Sequence, residues 1–148
     1  MIYREATVDD IDNYMIVRMA VQENKLNNPA LVTRQDNIDY LTKWGKGWVC
    51  EIEGRIVGFA IVGMEQRNVW ALFVQPGFEG RGIGKTLHDM MMDWYFAQTT
   101  EKIWLGTEQN TRAEQFYKNR GWTVVGMHGK DETKFEMTWA DWQRLRKG

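Results

Sequence analysis

The segment VWALFVQPGFEGRGIGKTLHDMM constrains the fold more than any other stretch of the chain. A run of apolar, largely β-forming residues ends at Pro76, three glycines follow at alternate positions, Gly80, Gly82 and Gly84, and Ile83, Leu87, Met90, Met91 and Trp94 then recur at offsets of 4, 7, 8 and 11. The pattern predicts a buried strand, a tight loop and a helix with one apolar face. Such a junction aims backbone N–H groups outward at the positive end of a helix dipole, which suits an anion.

Two nucleotide-binding loops come close to this pattern and both fail on a defining position. The dinucleotide fingerprint G-x-G-x-x-G needs a third glycine at position 85, where Lys85 stands. The triphosphate loop G-x-x-x-x-G-K-[ST] needs its first glycine at position 79, which is Glu79, and the later strand IWLGT offers no aspartate for magnesium. The remaining reading is a metal-free pyrophosphate cradle in which Gly80, Gly82, Ile83 and Gly84 supply N–H groups while Arg81 and Lys85 add positive charge.

That charge has to be local, because the 148 residues carry a formal net charge of -1. A chain without a broad basic field is not expected to bind nucleic acid. No window approaches the roughly 18 apolar residues of a membrane span, and the start MIYREATVDD lacks the features of a signal peptide, so no membrane partner and a cytoplasmic location are expected. Cys50 is the one cysteine, which rules out an internal disulfide and a thiolate zinc cluster. It reads as a small buried core residue. His88 and His128 lack ligand-like spacing, so no metal site is expected and both read as surface or boundary histidines. The eight tryptophans fall mostly within predicted strands and helices, where core packing outweighs base stacking.

Length favours one domain over residues 1–148. Ile2 to Glu5 reads as a first strand. Thr7 and Asp10 form a helix-starting box ahead of Ile11, Tyr14, Met15 and Met19 at helical spacing. ENKLNNPAL breaks that helix, and Thr33 caps a second one holding Ile38 and Leu41 and ending near Gly45. WVCEIE, turn residues Gly54 and Arg55, and IVGFAIVGM form a hairpin whose second strand, apolar on both faces, is central. After the glycine loop and its helix come IWLGT, a helix from Asn110 to Arg120 with Ala113, Phe116 and Tyr117 inward, Gly121 as its stop, the strands WTVVGM and KFEMTW, and a helical tail from Asp141 to Arg146. This order predicts an α/β (α+β) fold, a mixed and mostly antiparallel central sheet of about seven strands with helices on both faces.

LFVQPGFEGRGIGKTL resembles the acetyl-CoA motif of the GNAT superfamily of N-acetyltransferases, Q/R-x-x-G-x-G/A after a strand ending V-x-P. Gly82, Gly84, Val74 and Pro76 match, and Glu79 departs from the usual Gln or Arg. NTRAEQFYKNRGW resembles the second motif of that family, at Asn110, Ala113, Phe116, Tyr117, Gly121 and Trp122. The resemblance implies acetyl-CoA as co-substrate, without a metal, and direct transfer to a primary amine of a small molecule, peptide or protein by a monomer or homodimer. It places acetyl-CoA in a V-shaped gap between the strand Val69 to Val74 and the strand Ile103 to Thr107. Leu72, Phe73 and Val74 pair with the pantetheine amides there, Asn110 bonds the same arm, and Tyr117 acts as general acid for the departing sulfur. The strand Val69 to Val74 has no carboxylate, so the general base is sought at Glu23 or Glu108, with Glu65 behind them. Glu23, Asn24, Asn27, Asn28, Trp44 and Trp139 are expected around the acceptor. Glu79 and the missing strand carboxylate motivate the alternative, an acyl-CoA sensor that keeps the fold without catalysis.

Overall fold

The computed structural model describes residues 1–25 and 32–148. Its seven strands form one sheet in the order β1-β2-β3-β4-β5-β7-β6. The strands are β1 (Ile2–Glu5), β2 (Gly45–Ile52), β3 (Arg55–Gly63), β4 (Asn68–Val74), β5 (Ile103–Glu108), β6 (Thr123–His128) and β7 (Glu132–Met137). Every neighbouring pair is antiparallel except β4 and β5. The mixed, mostly antiparallel sheet expected from the element order is therefore the one found.

β3 lies at the centre of the packing and explains its own unbroken apolar sequence. Val57, Ala60 and Val62 join the core under α3 (Ile83–Gln98), while Ile56, Phe59 and Ile61 join a second core under α1 (Ile11–Ala20). A strand covered on both sides has no solvent face to be polar. The tail helix α5 (Trp139–Lys147) adds Trp142 to the first core, and the segment α2 (Arg34–Asp39) with the π-helical turn Tyr40–Trp44 adds Tyr40 to the second.

The entry to α1 forms as its sequence suggests. Thr7 N–H donates to Asp10 Oδ2 at 2.7 Å across a 3₁₀ turn, and Arg4 forks onto Asp10 with both bonds at 2.8 Å. Arg4 also contacts Glu51 on β2, so one guanidinium fastens the start of α1 to the sheet. The face of α1 differs from expectation, because Val17 is fully buried while Met19 is 50% exposed. The hairpin turn also moves back by one residue: Glu53 and Gly54 have φ of 52° and 77°, and Arg55 already belongs to β3.

The parallel pair carries the feature that shapes the site. β4 and β5 share one register pair, Asn68 with Trp104, supported by Trp104 N–H to Arg67 O at 2.9 Å, and then diverge. Ile61 pairs with Ala71 and Val62 with Val69, leaving Trp70 as the extra residue of a bulge on β4. A bulge increases local twist and bends its strand. Beyond it, the β4 edge from Ala71 to Val74 faces a gap rather than a neighbouring strand.

Candidate active site

Two adjoining cavities open on that gap. The first has a volume of about 710 Å³ and runs from the glycine loop along β4 to α4 (Arg112–Asn119). The second, about 500 Å³, lies between α1, β4 and β5. Gln22, Asn24, Leu72, Phe73, Ala113 and Tyr117 line both, so the cavities meet at the middle of β4 and at Tyr117.

The loop is built as a cradle. Gly80 and Gly82 have φ of 76° and 79°, a conformation that side-chain-bearing residues disfavour, and a Cβ on either would meet nothing within 4 Å. Gly82 is the N-cap of α3 and brings no capping side chain, so the first-turn N–H groups keep their bonding capacity for a ligand. Gly80, Gly82, Ile83, Gly84 and Lys85 line the first cavity together with Leu72, Phe73 and Val74. Arg81 stands apart from that lining: its guanidinium lies 4.9 Å over the ring of Phe78. Glu79 accepts the N–H of Gly77 at 2.9 Å, and the N–H groups of Glu79 itself and of Gly77 hold its carboxyl below the usual carboxylate range. Its negative charge closes the loop on itself and does not pair with Arg81.

Tyr117 is 6% exposed, and burial raises its phenol above the ordinary tyrosine range. The phenol is therefore a protonated group at any physiological pH. No described residue hydrogen-bonds its hydroxyl, while its ring packs on Phe116, Trp122 and Phe135.

The carboxylates considered as bases have backbone partners. Glu23 Oε1 accepts the N–H of Arg112 at 2.9 Å, capping α4 alongside Thr111, which accepts from Glu114 N–H. Glu108 Oε2 accepts Asn24 N–H at 3.0 Å and Asn24 Oδ1 accepts Glu108 N–H at 2.8 Å, a reciprocal pair reinforced by Asn24 Nδ2 to Thr107 Oγ1 at 3.1 Å. Residues 23 and 24 thus clasp the end of β5 and the start of α4 across the gap. Glu23 lines the first cavity and Glu108 the second, whereas Glu65 lines neither.

Other expected site residues lie elsewhere. Asn110 lines neither cavity; its φ of 59° makes it the turn residue before α4, a left-handed position that asparagine tolerates. Trp44 packs edge-on against Tyr40, and Trp139 is a partly exposed residue at the start of α5. Asn27 and Asn28 lie outside the described residues.

His88 departs from the surface or boundary position expected of it. It is fully buried, not at the surface, and both of its ring nitrogens are used. Trp122 Nε1–H donates to Nε2 at 2.9 Å, and Nδ1 lies 2.9 Å from Asp89, whose other neighbours are Arg120 at 2.7 Å, Lys85 at 3.5 Å and Arg146 at 3.6 Å. The only sequence signal for this was position: His88 and Asp89 follow Leu87 on α3, next to its apolar face. His128 is a surface residue bonded to Glu132, and Cys50 is a buried core thiol, both as expected.

Comparison with known proteins agrees with this geometry. Residues 14–122 match the Acetyltransferase (GNAT) family. The peptidyl-lysine N-acetyltransferase YiaC of Escherichia coli is 36% identical over 104 residues, covering 68% of this chain and 67% of that protein. An uncharacterized N-acetyltransferase of Archaeoglobus fulgidus is 28% identical over 134 residues, covering 79% and 89%. Among solved structures, the PaiA N-acetyltransferase of Thermoplasma acidophilum in complex with coenzyme A superposes with a TM-score of 0.80 at 13% identity, over 93% of this chain and 98% of that one. With its split sheet, its glycine cradle and a family match across more than a hundred residues, the chain belongs to the GNAT family of acetyltransferases.

Proposed function

We propose that this acetyltransferase holds acetyl-CoA along the first cavity and acetylates a primary amine presented from the second. The observation that carries the reading is the meeting of the two cavities at Leu72, Phe73 and Tyr117. Acetyl-CoA, when bound, supplies the activated acetyl thioester. The N–H groups of Gly80, Gly82, Ile83 and Gly84 face its pyrophosphate, with charge added by Lys85, whose ammonium lies 3.5 Å from Asp89, and by Arg81. Alternate backbone groups of Leu72, Phe73 and Val74 pair with the pantetheine amides as an added strand does, and an N–H of this edge polarises the thioester carbonyl.

Tyr117 is the proton donor at the meeting point. A free phenol near pKa ~10 lies above a free thiol near ~8.5, a gap of about 2 kcal/mol against transfer. Burial raises the phenol, and the same apolar wall disfavours a thiolate, so desolvation acts on donor and acceptor together. Glu23 and Glu108 already accept backbone N–H bonds, and we assign the removal of the amine proton to water in the polar second cavity, which Glu108 lines. The similarity to a peptidyl-lysine N-acetyltransferase supports a lysine-like primary amine as acceptor. A cytoplasmic location is supported by the buried free thiol of Cys50, and no described helix is long and apolar enough to cross a membrane.

The test is release of free CoA from acetyl-CoA across a panel of primary amines and lysine peptides, run beside thermal stability with acetyl-CoA, CoA, ATP and NAD. Stabilisation by the first two and amine-dependent CoA release are expected. Stabilisation by ATP alone, or CoA release indifferent to every amine, overturns the assignment.

A further inference from the structure

The second cavity is electrically divided. Arg18, on α1, lies over its β4 wall with the guanidinium carbon 4.2 Å from the Phe73 ring centre. One of its nitrogens donates to the carbonyl of Asn24 at 2.9 Å. A guanidinium has five N–H donors, and Arg18 forms no salt bridge among the described residues; positions 26–31 contain no Asp or Glu. Burial alone lowers its pKa, with no anion offsetting the cost. A half-buried cation without an anionic partner is an expensive arrangement unless a ligand completes it.

The opposite wall is acidic. Glu108 and Glu132 are register partners on β5 and β7, and Asp131 precedes Glu132 at the β6–β7 turn. Glu132 has a contact with His128 Nδ1 at 2.8 Å and Glu108 one with Asn24 N–H at 3.0 Å, but three carboxylates on one wall still attract a cation. An uncharged-tail amine satisfies the acidic wall and leaves Arg18 as it is. An acceptor with an ammonium at one end and a carboxylate at the other satisfies both walls.

We infer that the preferred acceptor is an amine that carries a carboxylate of its own, held by Arg18 while the amine faces Tyr117 from the acidic side. The inference rests on the acetyl-transfer reading and specifies its substrate class. The carboxylate has two sources, a free amino acid or the acidic side chain beside a lysine in a peptide, and the chemistry at Arg18 is the same for both.

The experiment compares kcat/KM for matched acceptors that differ only in that group: δ-aminovalerate against its amide, and short lysine peptides flanked by Glu against the same peptides flanked by Gln. The carboxylate member of at least one pair is expected to be favoured tenfold or more, through KM rather than kcat, and salt is expected to weaken the preference. The pair that responds identifies the source. Arg18→Met, which keeps an apolar stem over Phe73, is expected to reduce the ratio to about one, and Arg18→Lys to retain part of it. Ratios near one for both pairs in the wild-type enzyme overturn the inference without needing any variant to fold. Failure of acetyl-CoA to stabilise the protein is a different result: it removes the acetyl-transfer reading, and this inference with it.

Discussion

Trp122 donates its indole N–H to Nε2 of His88 at 2.9 Å, inside a cage formed by Phe116, Tyr117 and Trp142. The bond fixes the tautomer: Nε2 must carry a lone pair, so Nδ1 carries the proton and donates to Asp89. Burial lowers the pKa of His88, against the pull of Asp89, and the ring is neutral in the fold. Asp89 is pushed up by burial, but the His88 bond and Arg120 outweigh this and hold it at about 2. Together these groups join α3 to the end of α4 and the start of β6.

The first prediction concerns acid stability. A histidine with a depressed folded pKa binds its proton more readily when unfolded, so stability declines as pH falls below about 6.5, by at most ~1.4 kcal/mol per pH unit. Asp89 adds a second decline as pH falls from the ordinary aspartate value of 3.8 toward about 2. Thermal denaturation of wild type across this range should show the upper decline already between neutrality and pH ~5. His88→Gln, able to accept from Trp122 and donate to Asp89, is expected to flatten that window. His88→Leu orphans both partners and should cost about 1–3 kcal/mol more than the glutamine variant.

His88 also marks where the sequence stops being legible. The strands, the glycine cradle and, among the described residues, the five α-helices follow from local periodicity and turn chemistry, because each is set by residues a few positions apart; one boundary differs, since β7 ends at Met137 and Trp139, expected in the strand KFEMTW, starts α5. Trp122 is 34 residues from His88 along the chain, and the clasp partners of Asn24 and Glu23 are 84 and 89 residues away. No local pattern encodes such pairs. The inward face of α1 passes through Val17 and not Met19 for a related reason: helical spacing allows several faces, and the stacking of Tyr14 on Phe59 goes with the one through Val17. The gap between β4 and β5 follows from the family resemblance alone, since neither strand's composition signals it.

Tyr117→Phe tests the proton donor. Removing the hydroxyl leaves the ring packing on Phe116, Trp122 and Phe135. Turnover is expected to fall by at least about tenfold, with acetyl-CoA affinity changed less than about twofold. Because burial raises the phenol, the wild-type kcat profile should show no alkaline limb from Tyr117 below pH ~10. Wild-type turnover in the phenylalanine variant eliminates the role.

Glu23→Gln and Glu108→Gln separate clasping from base catalysis. A glutamine amide oxygen can still accept from Arg112 N–H or Asn24 N–H, so the clasp survives in weakened form. Turnover at saturating amine is expected to change less than about threefold in each variant. A drop of about a hundredfold or more in either one would identify that carboxylate as the base.

Glu79→Gln addresses the one departure from the family loop pattern. The carboxylate lines the first cavity beside the glycine cradle, and its bond from Gly77 N–H can be made equally by an amide oxygen. Replacing the charge removes repulsion toward a diphosphate at an exposed site, where screening keeps such terms small. Acetyl-CoA is expected to bind about two- to fivefold more tightly, measured by titration at low salt, with the difference shrinking as salt rises. Equal affinity at low ionic strength contradicts the idea that the loop holds the pyrophosphate near position 79.

Gly82→Ala and Gly84→Ala should part in stability and agree in binding. Gly82 sits in the left-handed region at φ 79°, where a Cβ costs about 1–2 kcal/mol, so the unliganded protein is expected to melt earlier. Gly84 lies within the first turn of α3, and its Cβ would sit 3.6 Å from Val74 and 3.9 Å from Phe116, ordinary contacts. Helix propensity then favours alanine by roughly 0.5–1 kcal/mol, and that variant should melt at or above the wild-type temperature. Both residues, however, line the first cavity. Each should therefore reduce the stabilisation that added acetyl-CoA gives, because a ligand bound through backbone N–H groups needs close approach. A Gly84→Ala protein that is as stable as wild type yet no longer stabilised by acetyl-CoA isolates the cradle's binding role from its part in folding; one still fully stabilised by the ligand moves the pyrophosphate away from this turn.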